Sequence, residues 1–207
     1  MTNIAKVDAI NASDNSAAIN MDASQFNSLD GVLATNDNIQ IVDSGATIAA
    51  GDLTNVLTLI AKVDKIDFSN NAVTLTATQA ATVGLGAVMT AADVVTITAT
   101  KNGAQTLESG VFTSNDVITL SGAALAGATG YVASSAVSNT ITGNGATVEL
   151  VSGAGAVASG TKAQLIFDTT TGILTFDADG AGVNAATTVL TLTGVSSLVT
   201  TNINFVA

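Results

Sequence analysis

A short motif returns along this chain at nearly constant spacing: Asp, any residue, Ile or Val, any residue, then often an apolar residue. It reads Asp8-Ala-Ile10, Asp37-Asn-Ile39-Gln-Ile41, Asp64-Lys-Ile66-Asp-Phe68, Asp93-Val-Val95-Thr-Ile97 and Asp116-Val-Ile118-Thr-Leu120, with a weaker copy at Asn139-Thr-Ile141. Successive steps are 29, 27, 29, 23 and 23 residues. Each copy alternates like a half-buried strand. Polar turns follow, as at Asp43-Ser-Gly45, Ser69-Asn-Asn71 and Lys101-Asn-Gly103. A second short strand is expected after each turn, at Ala46-Thr-Ile48, Ala72-Val-Thr-Leu75 and Ala104-Gln-Thr-Leu107. An Ala-rich piece closes the unit, and Asp52-Leu-Thr-Asn-Val-Leu-Thr-Leu-Ile60 has room for one or two helical turns.

A unit of this length cannot bury its own apolar face, but it can do so against its neighbours. The chain is therefore expected to be all-β. Residues 1–160 form a parallel β-solenoid of degenerate 23–29-residue coils, and residues 161–207 form a short region containing a β-hairpin. A β-sandwich is the alternative. The lack of proline leaves long ladders unobstructed, and 19 glycines supply turns. With 3% aromatics and no tryptophan, Val, Ile, Leu and Ala must fill the core.

The net charge of −11 argues against nucleic acid or an anionic membrane as partner. No run is apolar for long enough to predict a membrane-spanning helix, and the N-terminal MTNIAKVDAINASDN lacks the pattern of a cleavable signal peptide. There is no cysteine and no histidine, so disulfides, thiolate sites and imidazole chemistry are excluded. Any bound metal should be a hard cation held by oxygen, Ca²⁺ before Mg²⁺.

The texture changes at residue 161. Gln164–Phe167 and Ile173–Phe176 read as a hairpin around Asp168-Thr-Thr-Thr-Gly172, and Thr188-Val-Leu-Thr-Leu192 as a third strand. Ile166-Phe167-Asp168, the loop end Gly172-Ile-Leu174, the turn Phe176-Asp177-Ala178-Asp179-Gly180, the small residues 181–186 and Leu192-Thr-Gly194 follow one another in order. Over these residues the chain resembles the C-terminal region of RTX-type calcium-binding proteins exported by type I secretion. The hallmark Gly-Gly-x-Gly-x-Asp array of that family is not found: Gly143-Asn-Gly145 and Gly153-Ala-Gly155 lack the following Asp. The resemblance implies a secreted protein with an uncleaved C-terminal export signal, for which Asn204-Phe205-Val206-Ala207 is suitable.

Carboxylates one residue apart in a tight turn can reach one Ca²⁺ ion, with backbone carbonyls completing the shell. Asp168, Asp177 and Asp179 are the candidate ligands, with Gly180 and Gly182 as carbonyl donors. The repeat aspartates Asp37, Asp64, Asp93 and Asp116 are expected to be solvated or to bond backbone at corners. The expected function is that of an extracellular or cell-surface structural protein. It is stabilised by Ca²⁺ and assembles with itself into a filament, surface layer or matrix, with cell-surface polysaccharide as a further partner. An enzyme is not expected, because a lyase or glycosidase would have to work without His, Arg or Trp and with Tyr131 as its one tyrosine. The alternative is an ice-binding or adhesive solenoid that presents Thr74/Thr76, Thr96/Thr98, Thr140/Thr142 and Thr191/Thr193 on one face.

Overall fold

The computed structural model describes residues 17–121, 140–143 and 146–206. The motif copies at Asp8 and Asn139, Tyr131 and the terminal Ala207 lie outside these residues. The described elements are β1 (Ile19–Met21), α1 (Ala23–Leu29), β2 (Ile39–Asp43), α2 (Ala50–Thr58), β3 (Lys65–Phe68), β4 (Ala72–Thr76), α3 (Ala77–Ala80), α4 (Leu85–Val88), β5 (Val94–Ala99) and β6 (Gln105–Leu107). They continue with β7 (Val117–Ser121), β8 (Thr140–Gly143), β9 (Ala146–Gly153), β10 (Gln164–Asp168), β11 (Ile173–Asp177), β12 (Thr187–Leu192) and β13 (Ile203–Val206).

The protein is of mixed α/β character, with parallel and mixed sheets and several helices, and this overturns the expectation of an all-β solenoid. The connections between motif strands decide the matter. Asp22 and Gln25 form a capping box that starts α1, whose Ala23, Phe26 and Leu29 recur on one buried stripe. In α2 the buried stripe is Leu53, Val56 and Leu57. Thr76 and Gln79 form a second capping box at α3. Ala46-Thr-Ile48, expected as a strand, is a turn in which the N–H groups of Thr47 and Ile48 both donate to the Ser44 carbonyl.

The chain divides into two compact units, residues 1–74 with 82–94, and residues 75–81 with 95–207. In the first, β1, β2 and β3 form a parallel sheet in that order. The motif copies pair in register, with Ile41 opposite Ile66, while Ile19-Asn-Met21 acts as a further copy opposite Ile39–Ile41. Helices α1 and α2 form the crossovers, as parallel pairing requires. A polar network joins them: Asn27 donates to Asp52 (2.7 Å), and Asn55 donates to Asn27 (2.8 Å) and Asp30 (3.1 Å). Lys62 donates to the carbonyls of Asp30 and Leu33. The core beneath holds Phe26, Ile39, Ile41, Ile66 and Phe68, all almost fully buried.

In the second unit β5, β7 and β13 are parallel neighbours, with Ile97 opposite Ile118 and Ile118 opposite Ile203. A six-stranded mixed sheet runs β6-β12-β11-β10-β9-β8. Its centre is the β10–β11 hairpin, and β10 buries Gln164, Leu165, Ile166 and Phe167 in succession, so both its faces are covered. The C-terminal residues Ile203–Val206 are a strand of the fold, with Ile203 and Phe205 in the core.

Candidate functional site

The carboxylates proposed to share an ion are held at two ends of one hairpin. Gln164 pairs with Asp177 and Asp168 with Ile173, so Asp168 and Asp177 lie roughly 13 Å apart along the strands. Among the described residues no three acidic side chains are gathered closely enough to hold a metal ion.

At one end, Asp168 closes the Thr-Thr-Thr-Gly loop. Its Oδ1 accepts the N–H groups of Gly155 (2.8 Å) and Thr170 (2.9 Å), and its Oδ2 accepts the Thr171 hydroxyl (2.8 Å). The Thr170 N–H, then the Thr171 hydroxyl and the Gly155 N–H, hold this carboxyl below its usual value of 3.8. Because the folded value is the lower one, the ionised group supports the fold at every pH above 3.8 and loses that support as pH falls through the folded value. Thermal melts should show the wild type above Asp168→Asn at neutral pH, with the gap closing below pH 3.8. A gap that stays constant with pH would contradict the assignment.

At the other end, Asp177 is buried and its Oδ1 accepts the Asp179 N–H at 3.0 Å. Asp179 Oδ2 accepts three donors, the N–H groups of Val183 (3.0 Å) and Asn184 (3.3 Å) and the Asn184 side-chain amide (2.9 Å). Asp179 Oδ1 is buried without a hydrogen-bond partner. Gly180 has φ +66°, and a Cβ there would lie 2.6 Å from the Ser159 carbonyl oxygen. A Cβ on Gly182 would overlap the Asp179 carboxylate. Gly180 is therefore required by the turn backbone, while Gly182 leaves room for the Asp179 carboxylate. The 177–184 segment leans on the loop before β10, where Gly160 O accepts the Ala181 N–H at 2.9 Å.

The repeat aspartates bond backbone from one motif copy to the next. Asp64 Oδ2 accepts the Ile39 N–H (2.9 Å), and Asp64 N–H donates to Ile39 O (2.9 Å). Asp93 Oδ2 accepts the Phe68 N–H (3.4 Å), and Asp116 Oδ1 accepts the Val95 N–H (2.7 Å). Asp37, Asp93 and Asp116 also bond residues 34, 90 and 113, three positions back, and so close the preceding turn. Asp93 Oδ1 is the odd atom, buried without a partner. Asn202 extends the series: its side chain accepts the Val199 N–H and donates to the carbonyls of Ser114 and Asp116, each at 2.9 Å. Sequence reasoning missed Asn202, although Asn202-Ile-Asn-Phe205 carries the motif's alternation.

The Thr-x-Thr pairs do not fall on one sheet. Thr76, Thr96 and Thr98 belong to the sheet of β4 and β5, whereas Thr140 and Thr142 are on β8, and Thr191 on β12. Thr119, opposite Thr98, is buried and donates its hydroxyl to Ile97 O. The side chains of Thr140 and Thr142 lie outside the described residues. Compared with known proteins, the chain matches no family model, no curated protein and no solved structure.

Proposed function

We propose that the protein is a secreted structural component. It joins copies of itself into a filament, surface layer or extracellular matrix and is stabilised there by Ca²⁺. The observation that carries this reading is an edge of the first unit's sheet that no strand among the described residues covers. β1 is the end strand of its sheet, and the Ile19 N–H donates inward to Asn38 O at 2.8 Å. By strand alternation the N–H and C=O of Asn20 face away from β2, and among the described residues they meet no partner. A parallel strand of a second copy can add there. Such a contact joins unlike surfaces, and it propagates into a filament where its rotation does not close a ring.

The Ca²⁺ reading rests on Asp179. Its unpartnered Oδ1 is an oxygen without a proton donor, and a cation would satisfy it. Asp177 and the carbonyls of Gly180 and Gly182 are the neighbouring oxygen donors of the same turn, and water would complete the six to eight that Ca²⁺ takes. Asp168, at the far end of the hairpin, stands outside this shell. Export of the unfolded chain, which the resemblance of residues 161–207 implies, would couple folding to Ca²⁺ outside the cell. Cell-surface polysaccharide is the further partner.

The test is light scattering with negative-stain imaging of the purified chain in Ca²⁺ and after chelation. The wild type should form extended assemblies that chelation weakens. Asn20→Pro should stay monomeric with an unchanged melting temperature, because the lost N–H faces outward. Asp179→Asn should lose the Ca²⁺-dependent rise in melting temperature. A wild type that is monomeric and equally stable in both conditions would sink the whole reading.

A further inference from the structure

The first unit carries a pocket of about 610 Å³ above the outward face of its parallel sheet. In β2, Ile39 and Ile41 point into the core, so Gln40 points outward, directly opposite Lys65 of β3. The end of α4 and the residues after it form one wall, tied to β3 by pairing of Met89 with Ile66 and by the Thr90 N–H on Ile66 O (3.1 Å). The turn before β2, including Asn38, forms the other wall.

The state of the polar groups shows what this pocket suits. The side-chain amides of Asn38 and Gln40 are half-buried and, among the described residues, bond no protein group. Asp64 uses Oδ2 for the Ile39 N–H, which leaves its other oxygen available at the exposed rim. Lys65, the one cation among the lining residues, is paired with Asp67 at 2.9 Å, and the Asp64 carboxylate lies at the rim, so the charge balance disfavours an anionic ligand. Two amides and one carboxylate oxygen supply both donors and acceptors, as a polyhydroxyl compound requires, while Met89 offers an apolar surface for a sugar ring's C–H face. The volume lies within the range of about 300–1,000 Å³ usual for small-molecule sites.

We infer that this pocket binds a neutral saccharide, its hydroxyls bridging the amides of Asn38 and Gln40 and the free oxygen of Asp64. This rests on the reading of the protein as a surface component and names where the polysaccharide is held. Titration calorimetry of the full chain against maltotriose, cellotriose and mannotriose, with a trigalacturonate control, tests it. At least one neutral trisaccharide should bind with a Kd on the order of 1 mM or below, and Gln40→Ala and Asn38→Ala should each weaken it about tenfold. Both variants should melt as the wild type does, since neither amide bonds a group among the described residues. Repeating the titration on Asn20→Pro separates the two proposals: binding that persists in a monomer stands even if self-assembly fails. No heat with any neutral sugar, preference for trigalacturonate, or binding indifferent to both variants would overturn the inference.

Discussion

Gly45→Ala is expected to destabilise the first unit strongly. Gly45 sits in the turn after β2, where its N–H donates to the Asn70 side chain at 3.0 Å. A Cβ there would overlap the Ala72 carbonyl oxygen and lie 2.9 Å from Val73 Cα. These atoms are backbone, held by the neighbouring turn through Ser69 N–H to Asp43 O at 2.7 Å. No side-chain rotation can relieve the overlap, so the two turns must separate. The cost should exceed about 3 kcal/mol. At roughly 2–4 °C per kcal/mol for a chain of this size, the melting temperature should fall by about 10 °C or more, and the soluble yield with it. Gly51 is the control: a Cβ there meets nothing within 4 Å, and it lies in α2. Gly51→Ala should stabilise by about 0.5–1 kcal/mol, because glycine costs a helix backbone entropy. If both substitutions behave alike, the packing of the two turns is wrong.

Asp116→Ala is expected to be the most damaging change among the repeat carboxylates. The side chain is about 1% exposed and accepts from Val95 N–H, Thr113 N–H and the Thr113 hydroxyl. Removing it leaves two backbone donors without a partner, each at a cost of about 1–3 kcal/mol, more for bonds to a charged group. A loss of about 3–5 kcal/mol follows, read as a lower denaturant midpoint. Asp116→Asn should recover part of this, since an amide oxygen accepts as the Asn202 side chain does from Val199. Asp64→Ala should cost less, because that side chain is exposed and takes a single N–H bond. Equal losses at positions 64 and 116 would show that burial does not set the strength of these bonds.

Parts of this architecture were legible in the residues. The alternation of Ile39–Ile41, Ile66–Phe68, Val95–Ile97 and Ile118–Leu120 predicts strands, and they are strands. The short carboxylate ahead of each is expected to be solvated or to bond backbone at a corner, and Asp64, Asp93 and Asp116 each accept a backbone N–H from the neighbouring copy. The hairpin around Asp168–Gly172 follows from two short apolar runs flanking a loop that ends in glycine, and Gly172 has φ +72°. The helices were written in the sequence as well, as the Asp22–Gln25 and Thr76–Gln79 capping boxes, but their small, Thr-rich segments carry weak propensity and read equally well as strand or coil.

A period of 23–29 residues with one alternating strand states that neighbouring copies pair, because each copy's apolar face is too small to bury alone. It does not state what fills the connection. That was decided by tertiary burial: Leu53, Val56 and Leu57 lose their exposure only when 50–58 coils into a helix over the strands, and so do Phe26 and Leu29 in α1. The same holds for the acidic residues. Sequence determines that Asp168, Asp177 and Asp179 each sit in or at the edge of a tight turn, since the glycines and the short carboxylates act locally. Which of them share a place is a matter of register, and the pairing of Gln164 with Asp177 sends Asp168 to the far end of the hairpin. Local chemistry acts over three or four residues, whereas register is settled by side chains across the sheet, which is why the turns could be read along the chain and the site could not.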